Sequence, residues 1–311
     1  MHQVWRPKVF PHTLTAAGGK GFDYAHQQLA DTTLRSEFPS HWRESDVRGC
    51  VRACCGAACA YCGDLVGRTG EDVEHFRPKA VYWFLAYVYE NYVASCRQCN
   101  SSRKGSKFDL ATGQVPAADV ASLKAEKRLL LDPVNDRVEQ AMMVVMDDNR
   151  YLWQVNPAAT KQLRTRAEHT IKFFALNDDG QLVKARSTAI ATYLLFAIEG
   201  NDATKAIARR SATRYSPHGG AIRSIVTQRA PQLLPSAEEL QWLVEDLVGV
   251  LQAFNASPRP NKDNRDLVRC ALAALVTAPP AHVPKTTVQQ WVVDGGVWPD
   301  VQPELALVHK P

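Results

Sequence analysis

Four cysteines, set in two closely spaced pairs, carry the clearest chemistry in this 311-residue chain. Cys59 and Cys62 form one Cys-x-x-Cys pair, and Cys96 and Cys99 form the other, with 33 residues between the pairs. Each such turn presents two sulfurs on one side, so two pairs can complete a tetrahedral four-thiolate site of the kind that holds structural zinc. Buried unpaired thiols and a redox dithiol are the alternatives. The spacing therefore predicts a structural Zn²⁺ bound by these four cysteines.

The other cysteines do not share this spacing. The chain begins without an apolar leader, so we expect a cytoplasmic protein, and the reducing cytoplasm keeps thiols free of disulfides. We therefore expect these cysteines to be small buried apolar residues. Cys55 stays open as a ligand in place of Cys59. The four are Cys50, Cys54, Cys55 and Cys270.

A second set of reactive side chains lies between and directly after the cysteine pairs. Glu74 and His75 belong to the run Val-Glu-His-Phe-Arg-Pro-Lys, and Asn91 follows an aromatic stretch. Asn100 comes directly after the second pair. This order resembles the pattern of the HNH, or ββα-metal, nuclease family, which has an acidic-His strand, a central Asn, and an Asn or His after the second pair. The resemblance implies two strands and one helix that hold a divalent cation.

The resemblance assigns a role to each of these residues. His75 becomes the general base, and Asn91 orients His75 or its loop. Glu74 and Asn100 become ligands of a catalytic Mg²⁺ or Mn²⁺, since carboxylate and amide oxygens suit hard cations. Hydrolysis of a phosphodiester at neutral pH needs such a base and such a cation. Because neighbours on a strand point to opposite faces, Glu74 shares the site of His75 only if the strand bends or Glu74 reaches around its end.

Basic residues surround this motif in the sequence. We predict that they hold backbone phosphates of a nucleic acid, and solvated surface charges are the alternative. Lys104 stands where many members of the family carry a His or Asn, and a protonated ammonium cannot bind a metal, so we predict a phosphate contact for it. The aromatic residues of the stretch 82–89 are expected to pack as a layer rather than to stack bases. The five basic residues are Arg77, Lys79, Arg103, Lys104 and Lys107.

A narrower resemblance covers about residues 55–190. Four segments, 74–79, 96–100, 130–133 and 170–177, are similar to the small PtuB-like HNH nuclease that works with an ATPase in Septu-type and some retron anti-phage systems. The resemblance implies a nuclease that cuts DNA, with a PtuA-like ATPase subunit as its partner. An RNase that cuts tRNA and an inactive zinc-ribbon adaptor that binds nucleic acid are the alternative functions.

The composition, with 45% hydrophobic and 22% charged residues and a net charge of +5, is that of a globular protein. We predict an α+β fold with an N-terminal arm (1–48) that packs on the core, an HNH domain (49–135) and a mainly helical region (136–311). The helical region is expected to offer a partner-docking or nucleic-acid surface. A helix is predicted over 117–130 and a hairpin over 142–153. Six basic residues that form either a phosphate-binding or a solvated face lie in an acid-free stretch: Lys205, Arg209, Arg210, Arg214, Arg223 and Arg229.

Overall fold

The computed structural model describes residues 10–56, 58–66, 71–148, 150–199, 201–212, 216–229 and 283–306, with single positions between 241 and 276. This part of the chain contains many helices and two antiparallel two-stranded sheets, which confirms the predicted mixture of helix and sheet. Among its helices, none has the length and apolar character that crossing a lipid bilayer would require.

The N-terminal residues form three helices, α1 (His12–Thr15), α2 (Lys20–Ala30) and α3 (Ser45–Cys55), and two short 3₁₀ turns lie between α2 and α3. In α3, apolar residues recur at helical spacing, so one face is buried and the opposite face, with Arg48, is exposed. The helix ends at Gly56, whose φ of 62° only glycine adopts without strain. The buried face of α3 consists of Val47, Cys50, Val51, Ala53, Cys54 and Cys55.

The first sheet pairs β1 (Glu71–His75) with β2 (Tyr92–Cys96) in antiparallel register. His75 lies opposite Tyr92 at one end of this sheet, and Glu71 lies opposite Cys96 at the other end. A short helical segment with wide π-type turns, Gln98–Lys104, follows β2 directly. The order strand, strand, helix therefore places Glu74, His75 and Asn100 close to one another.

Aromatic side chains fill the connection between β1 and β2. Tyr82, Tyr87 and Tyr89 are buried, and the ring of Tyr82 meets that of Phe108 edge-on at a centroid distance of 5.5 Å. For these tyrosines the prediction of a packed layer is confirmed.

The second sheet is the predicted hairpin, formed by β3 (Met142–Asp147) and β4 (Arg150–Val155). The predicted helix over 117–130 is wrong, because only Ser122–Ala125 forms a single 3₁₀ turn there. The other described helices of this half are α4 (Val138–Ala141), α5 (Lys161–Phe173), α6 (Gly180–Glu199), α7 (Asp202–Ser211), α8 (Gly219–Arg229), Lys285–Asp294 and Trp298–Ala306.

The helical half packs against the first half at several points. The hydroxyl of Thr170, on α5, accepts a hydrogen bond from the backbone N–H of Leu131 at 2.8 Å. Near the start of α8, the backbone N–H of His218 donates to the carbonyl of Gly63, at a distance of 2.6 Å. One cluster of buried side chains includes residues of all three predicted parts, so these parts share a hydrophobic core.

Candidate functional site

The four predicted ligand cysteines form one compact cluster. Their sulfurs all lie within 4.8 Å of one another, and the sulfurs of Cys62 and Cys96 are 3.8 Å apart. With zinc–sulfur bonds of about 2.3 Å, a tetrahedral site needs sulfur–sulfur distances of about 3.8 Å. The cluster, which we call the thiol cluster (Cys59, Cys62, Cys96 and Cys99), therefore has the donor set and spacing to hold a metal such as zinc.

Local structure explains how the thiol cluster is assembled. Cys59 and Cys62 lie in a turn that Gly63 closes with a φ of 78° and an N–H donated to the carbonyl of Cys59. The turn is attached to β2, since Ala60 N–H donates to the carbonyl of Ala94 at 2.9 Å. Cys96 ends β2, and Cys99 lies in the helical segment that follows. The cluster thus joins a turn, a strand and a helix.

The neighbouring thiols favour the thiolate form at Cys59 and raise the pKa of Cys62. Burial alone raises the pKa of the Cys59 thiol, but hydrogen bonds from the other three thiols outweigh it, so this pKa lies well below its usual value. Cys55 lies outside the cluster and accepts a hydrogen bond from the N–H of Ala94 at 3.4 Å. The prediction that Cys50, Cys54 and Cys55 are buried is confirmed, and Cys270 lies outside the described residues.

His75 is the last residue of β1, and its side chain is only 8% exposed. Its Nε2 lies 3.0 Å from the carbonyl oxygen of Ala86. Because a carbonyl oxygen only accepts, Nε2 carries the proton and Nδ1 keeps its lone pair. The rings of Trp42 and Tyr92 pack edge-on against the imidazole, each at a centroid distance of 4.8 Å. These contacts hold the ring in one orientation.

Burial also determines the protonation of His75. Removal from water is the largest cause that lowers its pKa, to about 3, while the Ala86 carbonyl acts in the opposite direction. The ammonium groups of Lys79 and Lys104 lower this pKa further. The imidazole of His75 is therefore neutral at physiological pH.

Asn91 is buried and holds the loop beside His75 rather than the imidazole itself. Its Oδ1 accepts from the N–H of Arg77 at 2.8 Å, and its Nδ2 donates to the carbonyls of Arg77 and Leu85. Arg77 follows β1, and Leu85 precedes the Ala86 carbonyl that contacts His75. One amide therefore connects the end of the strand to the segment that orients the imidazole.

Glu74 and Lys104 form a buried ion pair. Glu74 is 5% exposed, and Lys104 is fully buried with its Nζ against Glu74 Oε1 at 2.5 Å. The same ammonium donates to the carbonyl of His75 at 2.9 Å. The ammonium of Lys104, for which a phosphate contact was predicted, is therefore directed inward onto the carboxylate of Glu74.

A cleft of about 700 Å³ lies in front of His75. We call it the His75 cleft. Glu74 and Asn100 line it together with His75, so these three residues share one cleft although Glu74 and His75 are neighbours on a strand. Its basic residues are Arg43, Arg48, Lys79 and Arg97.

Only one of the five predicted phosphate-binding residues, Lys79, lines the His75 cleft. Arg77 donates two hydrogen bonds to Glu126, and Arg103 pairs with Asp179, so both charges are directed at carboxylates. Lys107 is exposed outside the cleft, with its ammonium 5.7 Å from the ring centroid of Phe173.

Three arginines and one tryptophan that line the cleft were not predicted from the sequence. Arg97 lies between the two cysteines of the second pair, a position that could have suggested it. Trp42, Arg43 and Arg48 lie about 30 residues before His75, and no motif connects them to it.

In the basic stretch of the helical half, the structure describes the side chains of Lys205 and Arg223. Arg223 pairs with Glu139 and donates to the carbonyl of Ala212. Arg214 lies outside the described residues, as do the side chains of Arg209, Arg210 and Arg229.

Part of the chain is similar in sequence to a bacterial protein. Over 119 aligned residues it is 28% identical to the Septu protein PtuB of Bacillus mycoides (strain KBAB4). The alignment covers 33% of this chain and spans 40% of the length of that relative. No family model matches the chain, and no solved structure matches it. This similarity supports a PtuB-like family, in agreement with the narrower resemblance of the sequence.

Proposed function

We propose that this protein is a metal-dependent HNH endonuclease that hydrolyses phosphodiester bonds in DNA. The observation that carries the proposal is that His75, Glu74 and Asn100 line one cleft beside the thiol cluster. The motif order and the partial similarity to the Septu protein PtuB support the same function.

His75 acts as the general base in this proposal. Its imidazole is neutral, and the Nε2–H donated to Ala86 leaves Nδ1 free to take a proton from the attacking water. The Ala86 carbonyl then stabilises the protonated ring through the same hydrogen bond. Asn91 is a positioning residue, because it holds the loop that carries this carbonyl.

The oxygen donors of the cleft fit a hard divalent cation. Glu74 offers a carboxylate and Asn100 an amide oxygen, and both would hold Mg²⁺ or Mn²⁺. Lys104 neutralises part of the charge of Glu74, so the donor set suits a cation that keeps most of its waters. When bound, such a cation supplies positive charge that offsets the negative charge developing on the phosphate.

The thiol cluster has a structural role in this proposal. Four thiolates fill the coordination sphere of Zn²⁺, which leaves no position open for substrate or water. The ion would join β2, the Cys59–Cys62 turn and the helical segment that carries Asn100.

A cleavage assay tests the nuclease. Purified protein is incubated with supercoiled plasmid or with tRNA, in Mg²⁺, in Mn²⁺ or in EDTA. We expect nicking or linearisation of the plasmid that EDTA abolishes, and a rate that falls about 10²–10⁴-fold in His75→Ala because the general base is lost. His26→Ala, an exposed histidine on α2 outside the cleft, is the matched control and is expected to cut at the normal rate.

The same assay separates the alternatives. Cleavage confined to tRNA would assign the RNase function, and nucleic-acid binding without any cleavage would assign the inactive adaptor. Cleavage of equal rate in wild type and His75→Ala would overturn the role of His75.

We further propose that the nuclease is the effector of an anti-phage defence system and works with a PtuA-like ATPase subunit. The partial similarity to the Septu protein PtuB supports this assignment. Co-expression with the ATPase of a Septu system is expected to lower phage plating efficiency, and His75→Ala is expected to restore it. Equal plating with and without the ATPase would count against the partnership.

A further inference from the structure

We propose that Arg43, Arg48 and Arg97 form a phosphate-binding wall of the His75 cleft that holds the nucleic-acid backbone. The proposal rests on the nuclease function and extends it to residues outside the motif. The wall is built from two distant parts of the chain: Arg43 ends the turn His41–Arg43, Arg48 lies on α3, and Arg97 directly follows β2.

The three arginines are exposed, and none forms an ion pair with another described residue. Five other arginines in the described part of the chain do pair with carboxylates: Arg77, Arg103, Arg128, Arg166 and Arg223. The acidic residues between Arg43 and Arg48 have other partners. Glu44 forms an ion pair with Lys20, and the carboxylate of Asp46 accepts hydrogen bonds from Thr13. Three guanidinium groups therefore face one cleft with their hydrogen-bond donors available to a ligand.

The charge balance of the cleft selects an anion. Arg43, Arg48, Lys79 and Arg97 line it, and its carboxylate, Glu74, is paired with the buried Lys104, which offsets part of its charge. Guanidinium groups bind phosphate oxygens in a bidentate manner, which gives them an advantage over lysine for this ligand. A volume of about 700 Å³ is in the range of sites that hold ligands much larger than one phosphate ion. A nucleic-acid backbone matches both the positive charge and the volume of the cleft.

The wall is held firmly against the catalytic side of the cleft. Trp42, next to Arg43, packs on the imidazole of His75, and the ammonium of Lys79 lies 5.1 Å from the Trp42 ring centroid. Three residues before Trp42, the carbonyl of Pro39 accepts a hydrogen bond from the hydroxyl of Tyr87 at 2.8 Å. These contacts fix the N-terminal segment beside the cleft. They therefore give Arg43 and Arg48 a defined position relative to His75.

Binding measurements in EDTA test the wall without cleavage. A fluorescein-labelled 20-base-pair duplex is titrated with protein at several salt concentrations, and anisotropy gives Kd. For the double variant Arg43→Gln/Arg48→Gln we expect binding about 100-fold weaker, since each charged hydrogen-bonding group contributes about tenfold. The slope of log Kd against log salt is expected to fall by about 2, about one for each lost phosphate contact. Arg97→Gln alone is expected to show about half of both effects on a logarithmic scale.

The matched control removes the same charge elsewhere. Arg137→Gln/Arg164→Gln replaces two exposed arginines that do not line the cleft, and its Kd is expected to change less than about threefold. Arg43→Lys/Arg48→Lys keeps the charge but not the bidentate geometry, so we expect a normal salt slope with affinity only partly restored.

The outcomes separate this proposal from the nuclease itself. If Arg43→Gln/Arg48→Gln binds like its control while wild type cuts in a His75-dependent way, the wall is overturned and the nuclease stands. If wild type neither binds nor cuts nucleic acid, both proposals fail. Circular dichroism of each variant, expected to match wild type because the residues are exposed, shows that a weaker Kd does not reflect unfolding.

Discussion

Cys62→Ser is expected to lose its metal and to lose most of the cooperative thermal transition of the folded protein. Structural zinc contributes about 10–16 kcal/mol in small domains, which equals or exceeds the total stability of an ordinary domain. The thiol cluster joins the Cys59–Cys62 turn to β2 and to Gln98–Lys104, so without the ion these elements lose their common attachment. Metal content by mass spectrometry and melting by circular dichroism measure both effects.

A buried thiol outside the cluster provides the control for this substitution. Cys50 lies on the buried face of α3, and Cys50→Ala is expected to keep one zinc per chain and to destabilise by no more than about 2 kcal/mol. Wild type treated with a strong chelator should melt like Cys62→Ser. A Cys62→Ser protein that retains a full equivalent of zinc and melts normally would contradict the assignment of the cluster.

Lys104→Met is expected to lower the free energy of unfolding by about 3–5 kcal/mol. Breaking a buried ion pair by removing one partner leaves the other charge in a medium of low polarity, which is far more costly than losing a surface pair. Here the substitution removes the ammonium from beside the Glu74 carboxylate and removes a donor to the His75 carbonyl. Urea denaturation at neutral pH measures the change.

Two further variants make this prediction specific. Lys107→Met removes an exposed lysine three residues away and is expected to change stability by less than about 0.5 kcal/mol. Adding Glu74→Gln to Lys104→Met removes the uncompensated carboxylate and is expected to recover part of the loss. Equal midpoints for Lys104→Met and Lys107→Met would show that the buried pair does not stabilise the fold.

Side-chain partners explain why the predicted helix over 117–130 does not form. The carboxylate of Glu126 is buried and accepts hydrogen bonds from Arg77, from the hydroxyl of Tyr82 and from the N–H of Ala117. These contacts require Ala117 and Glu126 to approach one another, whereas a continuous helix would hold them about 13 Å apart. Helix propensity is worth a few tenths of a kcal/mol per residue and cannot outweigh a buried network of this kind.

The sequence alone was sufficient to predict the members of the thiol cluster and the hairpin formed by β3 and β4. Both depend on short-range spacing: a two-residue turn places two sulfurs together, and alternating apolar residues around a tight turn form a hairpin. The motif also selected Glu74, His75, Asn91 and Asn100 as candidate site residues. The structure brings His75, Glu74 and Asn100 to one cleft.

Only the tertiary structure decided which charges face the cleft and which are used inside the fold. Lys104, Arg77 and Arg103 are close to the motif in sequence, yet each meets a carboxylate, two of them from distant segments. Arg43 and Arg48 are remote in sequence, yet they line the cleft because Trp42 packs on His75. Whether a charge is exposed or paired depends on contacts between segments far apart in the chain, and no local spacing encodes them.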